Sequence, residues 1–211
     1  MRLLPALALV LVVTSAPALA RSPYIEGRGG LMFLTDSVVA EAGATDVEVD
    51  FDPGLMFEGA VGIALDNGVR GDISVGYRRN TIDKVEEPNS VDLDGDVTAW
   101  TGMGNVYYDL DFERALGWSG PITAIQPFIG GGIGFARIHL ELDDVNGVNV
   151  DKSETTYELA FQGTVGVGFH FSDHVALTTG YQFLGTTNPT FNGEEGSYKS
   201  HNLFVGLRLT F

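Results

Sequence analysis

The chain has 211 residues, with 28 acidic against 12 basic side chains, a formal net charge of −16, no cysteine and 28 glycines. Without cysteine there is no disulfide framework and no thiolate metal site, and the acidic excess excludes a nucleic-acid partner gripped through its phosphates. Charged residues at 19% and hydrophobic residues at 44% exclude a disordered acidic tail, while so much glycine, costing about 1 kcal/mol per helical position, points to strands and tight turns.

The first elements are a positive start at Arg2, an apolar run from Leu3 to Val13, and the small-x-small triplet Ala18-Leu19-Ala20. This pattern predicts an export signal over residues 1–20, cleaved after Ala20, and a single domain over 21–211. The apolar run is shorter than the roughly 20 residues a spanning helix needs, and nothing beyond Arg21 is apolar for long enough either. The exported product is then either soluble or a membrane protein that crosses as strands.

Period-two alternation predicts eight strands at 23–34, 53–66, 69–82, 97–111, 124–142, 155–171, 175–187 and 200–211. Asn67-Gly68 and Ser172-Asp173-His174 read as tight turns, whereas 35–52, 83–96, 143–154 and 188–199 read as long polar connections. Residues 112–123, with Trp118 and Pro121, form a longer connection on the tight-turn side. The four long connections hold eighteen of the acidic residues and three lysines, so the charge imbalance gathers at one end. An even strand number, short turns on one rim and long polar loops on the other predict an all-β, eight-stranded antiparallel up-and-down transmembrane β-barrel of an outer membrane. Closure would satisfy every edge hydrogen bond, as hydrocarbon cannot.

The faces separate by side chain. In the last strand Leu203, Val205, Leu207, Leu209 and Phe211 oppose Asn202, Phe204, Gly206, Arg208 and Thr210. The same division holds in the second, third and sixth strands, where one face is apolar and the other is polar or tiny. A soluble lipocalin-like barrel would wear long polar side chains outside, so the many small groups favour a crowded lumen within a lipid-facing wall. In the strand 124–142 the run Gly130-Gly131-Gly132 with Gly134 leaves the phase open. The lumen is expected to receive Glu26, Glu58, Asp72 and Glu158 together with Arg28, Arg70, Arg78 and Arg208, four charges of each sign. Charges withdrawn from water must be paired, so an internal ion-pair network is expected. The alternative is a narrow or gated path for small solutes lined by the same charges.

The segments PFIGGGIGFAR (127–137), GTVGVGFHFSDHVAL (163–177) and NLFVGLRLTF (202–211), with the Ala-Leu-Ala signal end, resemble the opacity-type and outer-membrane-protein-A-like small barrels of Gram-negative bacteria. The likeness spans the mature chain. It implies outer-membrane lipid and lipopolysaccharide as surroundings, exposed loops that could meet a host or surface receptor, and no cofactor. It also implies that the terminal Leu207, Leu209 and Phe211 resemble the signal read by the barrel-assembly machinery. Members serve as structural, adhesive or weakly porin-like proteins, and a peptidoglycan-binding half like that of the longer relatives is not expected here.

Candidate chemistry is sparse, and no catalytic, metal or cofactor-binding residues are expected. His139, His170, His174 and His201 build no metal motif, and His139 and His170 read as lumen or interface residues. Ser200 and His201 invite comparison with barrels that hydrolyse lipid acyl chains, but neighbours on a strand point to opposite faces and cannot act as nucleophile and base. Asp92 to Asp96, and the cluster Asp143, Asp144, Asn146, Asn149 and Asp151, lack the spacing of a calcium loop; weak divalent-cation binding is the alternative to a solvated loop. Tyr24, Tyr77, Tyr108, Phe112, Trp118, Phe169, Phe171, Phe183 and Phe211 fit interfacial girdles, and Trp100 and Phe128 fit lipid-facing anchors.

Overall fold

The computed structural model describes residues 21–34, 53–82, 93–110, 125–145, 148–187, 190–191, 194–195 and 198–211. Its strands in chain order are β1 (Arg21–Leu34), β2 (Gly54–Leu65), β3 (Val69–Ile82), β4 (Leu93–Asp109), β5 (Ile125–Val145), β6 (Val148–Ser172), β7 (Val175–Thr186), β8 (Thr190–Phe191), β9 (Glu194–Glu195) and β10 (Lys199–Thr210). β8 and β9 form a separate two-residue ladder, and the other eight close into a barrel in the order β1-β10-β7-β6-β5-β4-β3-β2. All its pairings are antiparallel. The seam between the first and last strands runs from Tyr24 opposite Thr210 to Leu34 opposite Ser200, so no barrel strand presents an open edge.

The turn between β2 and β3 shows why the sequence bends there. Gly68 adopts a φ of 86°, a left-handed conformation that glycine takes at no steric cost. Its N–H donates to the Leu65 carbonyl at 3.1 Å, and Asn67 Oδ1 accepts from the Val69 N–H at 3.0 Å. At the β6–β7 turn the His174 N–H donates to Ser172 Oγ at 3.3 Å.

The opposite rim differs from the expectation of four long loops. β4 begins at Leu93 rather than 97, and β5 and β6 stay paired as far as Val145 opposite Val148. Most of the polar segment 143–154 is thus hairpin ladder; hydrogen bonding outweighs its acidic composition, and only 146–147 intervene. The aspartate clusters at 92–96 and 143–151 have side chains outside the described residues, apart from Asp96.

The wall is apolar outside. Leu203, Val205 and Leu207 are 53%, 55% and 48% exposed, against 2% for Phe204 between them. The same alternation runs through β2, β3 and β6, so the expected orientation of the sheet holds. The core of the molecule is the inside of the cylinder.

The open phase of β5 is decided by its neighbour. Phe128, Ala136 and Ile138 are buried, while Ile129, Ile133 and Phe135 are exposed, which turns Gly130, Gly132 and Gly134 inward. A Cβ at Gly130 would strike the Tyr107 ring, one at Gly132 would strike Asn105 Oδ1, and one at Gly134 would meet the Met103 backbone. The glycines make room for the inward residues of β4, which press against this strand.

Candidate functional site

The lumen is filled by charge. Eight acidic and basic side chains are at least nine-tenths buried: Glu26, Glu58, Asp72 and Asp109 against Arg28, Arg70, Arg78 and Arg208. They balance in formal charge, as burial demands. Alternation places them: β1 turns Glu26 and Arg28 inward on successive even positions, β3 does the same with Arg70, Asp72 and Arg78, and β10 contributes Arg208.

Glu26 lies at the centre. It accepts from Arg28 Nε at 2.9 Å, Arg208 Nε at 3.1 Å and Thr178 Oγ1 at 2.8 Å, with Arg70 Nη1 at 3.8 Å. Glu58 accepts from Arg28 Nη1 at 2.9 Å and from Gln182 Nε2 at 3.4 Å, and Arg78 Nη2 stands 3.7 Å away. Arg28 therefore bridges the two glutamates. Arg70 Nε donates to both carboxylate oxygens of Asp109 at 2.9 Å. Asp72 is held by neutral donors, Tyr24 Oη at 2.8 Å and Asn105 Nδ2 at 2.7 Å. Arg78 donates to Thr101 Oγ1 at 2.9 Å and Gln182 Oε1 at 2.7 Å.

Aromatic faces complete the packing. The Arg70 guanidinium carbon stands 4.2 Å from the Tyr107 ring centre and 4.9 Å from that of Phe128. Arg28 stands 5.1 Å from Phe204, and Arg208 stands 5.6 Å from Tyr24. Guanidinium is weakly hydrated and planar, so it stacks on rings where an ammonium would need water. These contacts lie inside the barrel, which corrects two expectations: Tyr24 is no girdle residue and Phe128 no lipid anchor, being 1% and 2% exposed. Their even positions on β1 and β5 put them on the inner face.

Nearer the rim opposite the turns the filling changes character. Ala99, Met103, Ala136, Ile138, Ala160, Leu184 and Tyr198 form an apolar cluster on the β4–β7 side. Tyr198 Oη donates to Met32 Sδ at 3.5 Å, and the Tyr198 carbonyl accepts from the Thr186 N–H at 3.0 Å, so this ring lies across the end of the lumen.

Of the eight charges expected here, seven lie in the buried lumen. Glu158 does not join them: it is half-buried near the rim and accepts from Thr156 Oγ1 at 3.2 Å and Thr187 Oγ1 at 2.8 Å. Asp109 takes the eighth place. Its signal was available, since Asn105, Tyr107 and Asp109 alternate with Val106, Tyr108 and Leu110, the lipid-facing set.

His139 faces outward, its Nδ1 2.8 Å from Thr155 Oγ1, and His170 Nε2 lies 2.9 Å from Gln126 Oε1. Ser200 is buried in the lumen, while His201 lies on the outer face beside Tyr181 and Phe183. Strand alternation separates that pair. Among the described residues no three His, Asp or Glu side chains gather as metal ligands.

A closed antiparallel cylinder, apolar outside and ionic inside, is a membrane-spanning β-barrel, because hydrocarbon tolerates strands only where no backbone group is left unpaired. Residues 6–211 match the outer membrane protein beta-barrel domain, and the chain belongs to that family. It sits in the cell outer membrane. Among solved structures, Neisserial surface protein A shares 17% identity over 90% of this chain and 97% of its own, with a TM-score of 0.52. The outer membrane protein OprG from Pseudomonas aeruginosa shares 13% over 90% and 96%, also at 0.52. A major outer membrane protein from Thermus thermophilus shares 10% over 90% and 99%, at 0.52. At such identities the likeness is one of fold. No curated protein matches the sequence.

Proposed function

We propose that this protein is a structural, non-enzymatic barrel of the outer membrane whose lumen is plugged. Residues 1–20 direct its export, and Leu207, Leu209 and Phe211 present the terminal strand to the assembly machinery. The observation that carries the plugged reading is the balanced layer of eight buried charges, stacked on aromatic rings and backed by an apolar cluster at one end. An eight-stranded barrel is about wide enough for its own side chains, so each side chain in this layer closes part of the bore. Its acidic rim faces the cell exterior and keeps the surface solvated; contact with a host or surface receptor through that rim is a further role compatible with the fold.

Planar-bilayer recording of the mature protein tests the plug. The expected trace shows no steady conductance for the wild type and new openings in Glu26→Gln or Arg28→Gln. Steady wild-type openings that vanish when Arg70 or Arg208 is neutralised would establish the narrow channel instead.

A further inference from the structure

On the outer wall Arg137 stands apart among the arginines whose side chains are described. Arg137 is exposed on β5, and among the described residues it has no acidic partner. The other outward arginine in this quarter, Arg79, is paired, its Nη2 lying 2.7 Å from Asp96 Oδ2. Arg137 is flanked in register by Trp100 on β4 and Tyr157 on β6, and Tyr77 on β3 stands opposite Trp100 on its other side. Tyr77, Trp100 and Tyr157 form the aromatic girdle at the rim away from the tight turns, the height at which hydrocarbon gives way to headgroups.

Below that row the wall is shaped to take a chain. Trp100 is followed on the same face of β4 by Gly102 and Gly104, and a Cβ at Gly102 would meet nothing within 4 Å. In register, Val75 and Phe135 flank Gly102, and Ile73 and Ile133 flank Gly104. These four walls are exposed, Ile133 at 76% and Phe135 at 65%. The result is an apolar furrow along β4 that opens upward beside a guanidinium with no acidic partner among the described residues.

A charge at the edge of hydrocarbon needs a counter-ion, and none is supplied by the described residues. We propose that Arg137 binds a phosphate of an outer-leaflet glycolipid of the lipid A type, between Trp100 and Tyr157, with one acyl chain lying over Gly102 and Gly104. Charge complementarity selects the headgroup, since guanidinium pairs bidentately with phosphate. The site rests on the membrane location alone and stands or falls independently of the lumenal plug.

The chain has two tryptophans, so Trp118→Phe leaves Trp100 as a fluorescent reporter beside the site. In phosphatidylcholine nanodiscs doped with bisphosphorylated lipid A, Trp100 emission is expected to shift saturably. Arg137→Gln should weaken that binding about tenfold, the loss of one charged hydrogen-bonded contact, and Arg137→Lys should restore part of it. Gly102→Val, which fills open space, should also weaken it while leaving heat-dependent gel migration unchanged. Equal binding by wild type and Arg137→Gln, or equal binding of lipid A stripped of its phosphates, would overturn the proposal.

Discussion

The two storeys of the lumen solve one problem in different ways. Toward the turn rim, Glu26, Arg28, Arg70, Asp109 and Arg208 fill the bore with charge, each held by a partner from another strand or by an aromatic face. Toward the other rim, on the β4–β7 side, three alanines, Met103, Ile138 and Leu184 fill it with hydrocarbon. The ionic storey depends on the completeness of its pairing, because a buried charge that loses its partner keeps its full desolvation cost. The apolar storey depends on volume, and a lost methyl group costs only what its neighbours cannot collapse to fill.

The largest effect is therefore expected from Glu26→Leu, which strands Arg208 and leaves Arg28 with Glu58 alone. Urea unfolding of the protein in lipid vesicles should show a loss of about 3–5 kcal/mol. A loss under about 1 kcal/mol would mean that the ionic storey tolerates an orphan and that the contrast is false. Leu184→Ala, in the fully buried apolar storey, should cost about 2–4 kcal/mol in the same assay and leave the bilayer silent, because the ionic layer beneath remains closed. The smallest effect should come from Asp96→Asn, which breaks the Arg79 pair on the outer rim where the two side chains are 56% and 26% exposed. Solvent screening limits that cost to about 0–1 kcal/mol. The same chemistry inside and outside the wall would then differ several-fold, and added salt should narrow the outer value further.

Much of the fold was legible because a strand repeats every two residues. Leu203 to Phe211 declares one face and Asn202 to Thr210 the other without reference to any partner, and alternation likewise placed Glu26, Arg28 and Arg70 inside. Legibility failed where the code became degenerate. Gly130, Gly132 and Gly134 carry no side chain to vote with, so β5 could be phased only by Tyr107, Asn105 and Met103 pressing against it from β4. Tyr24 and Phe128 misled because an aromatic near a strand end suits an interface and a stacked arginine equally well; parity, not residue type, separates the two. The segment 143–154 misled in the other direction, since acidic composition suggested a loop where paired backbone extends the ladder.

By itself the sequence determined which residues share a face, where the chain turns, and that the charges facing inward come in both signs. These are properties of neighbouring residues, set by strand geometry and by the preference of glycine and asparagine for tight bends. Only closure of the cylinder decided which charge meets which. Arg208 reaches Glu26 across 182 positions of chain and Gln182 reaches Glu58 across 124, and no local pattern encodes contacts that arise when the last strand is zipped to the first.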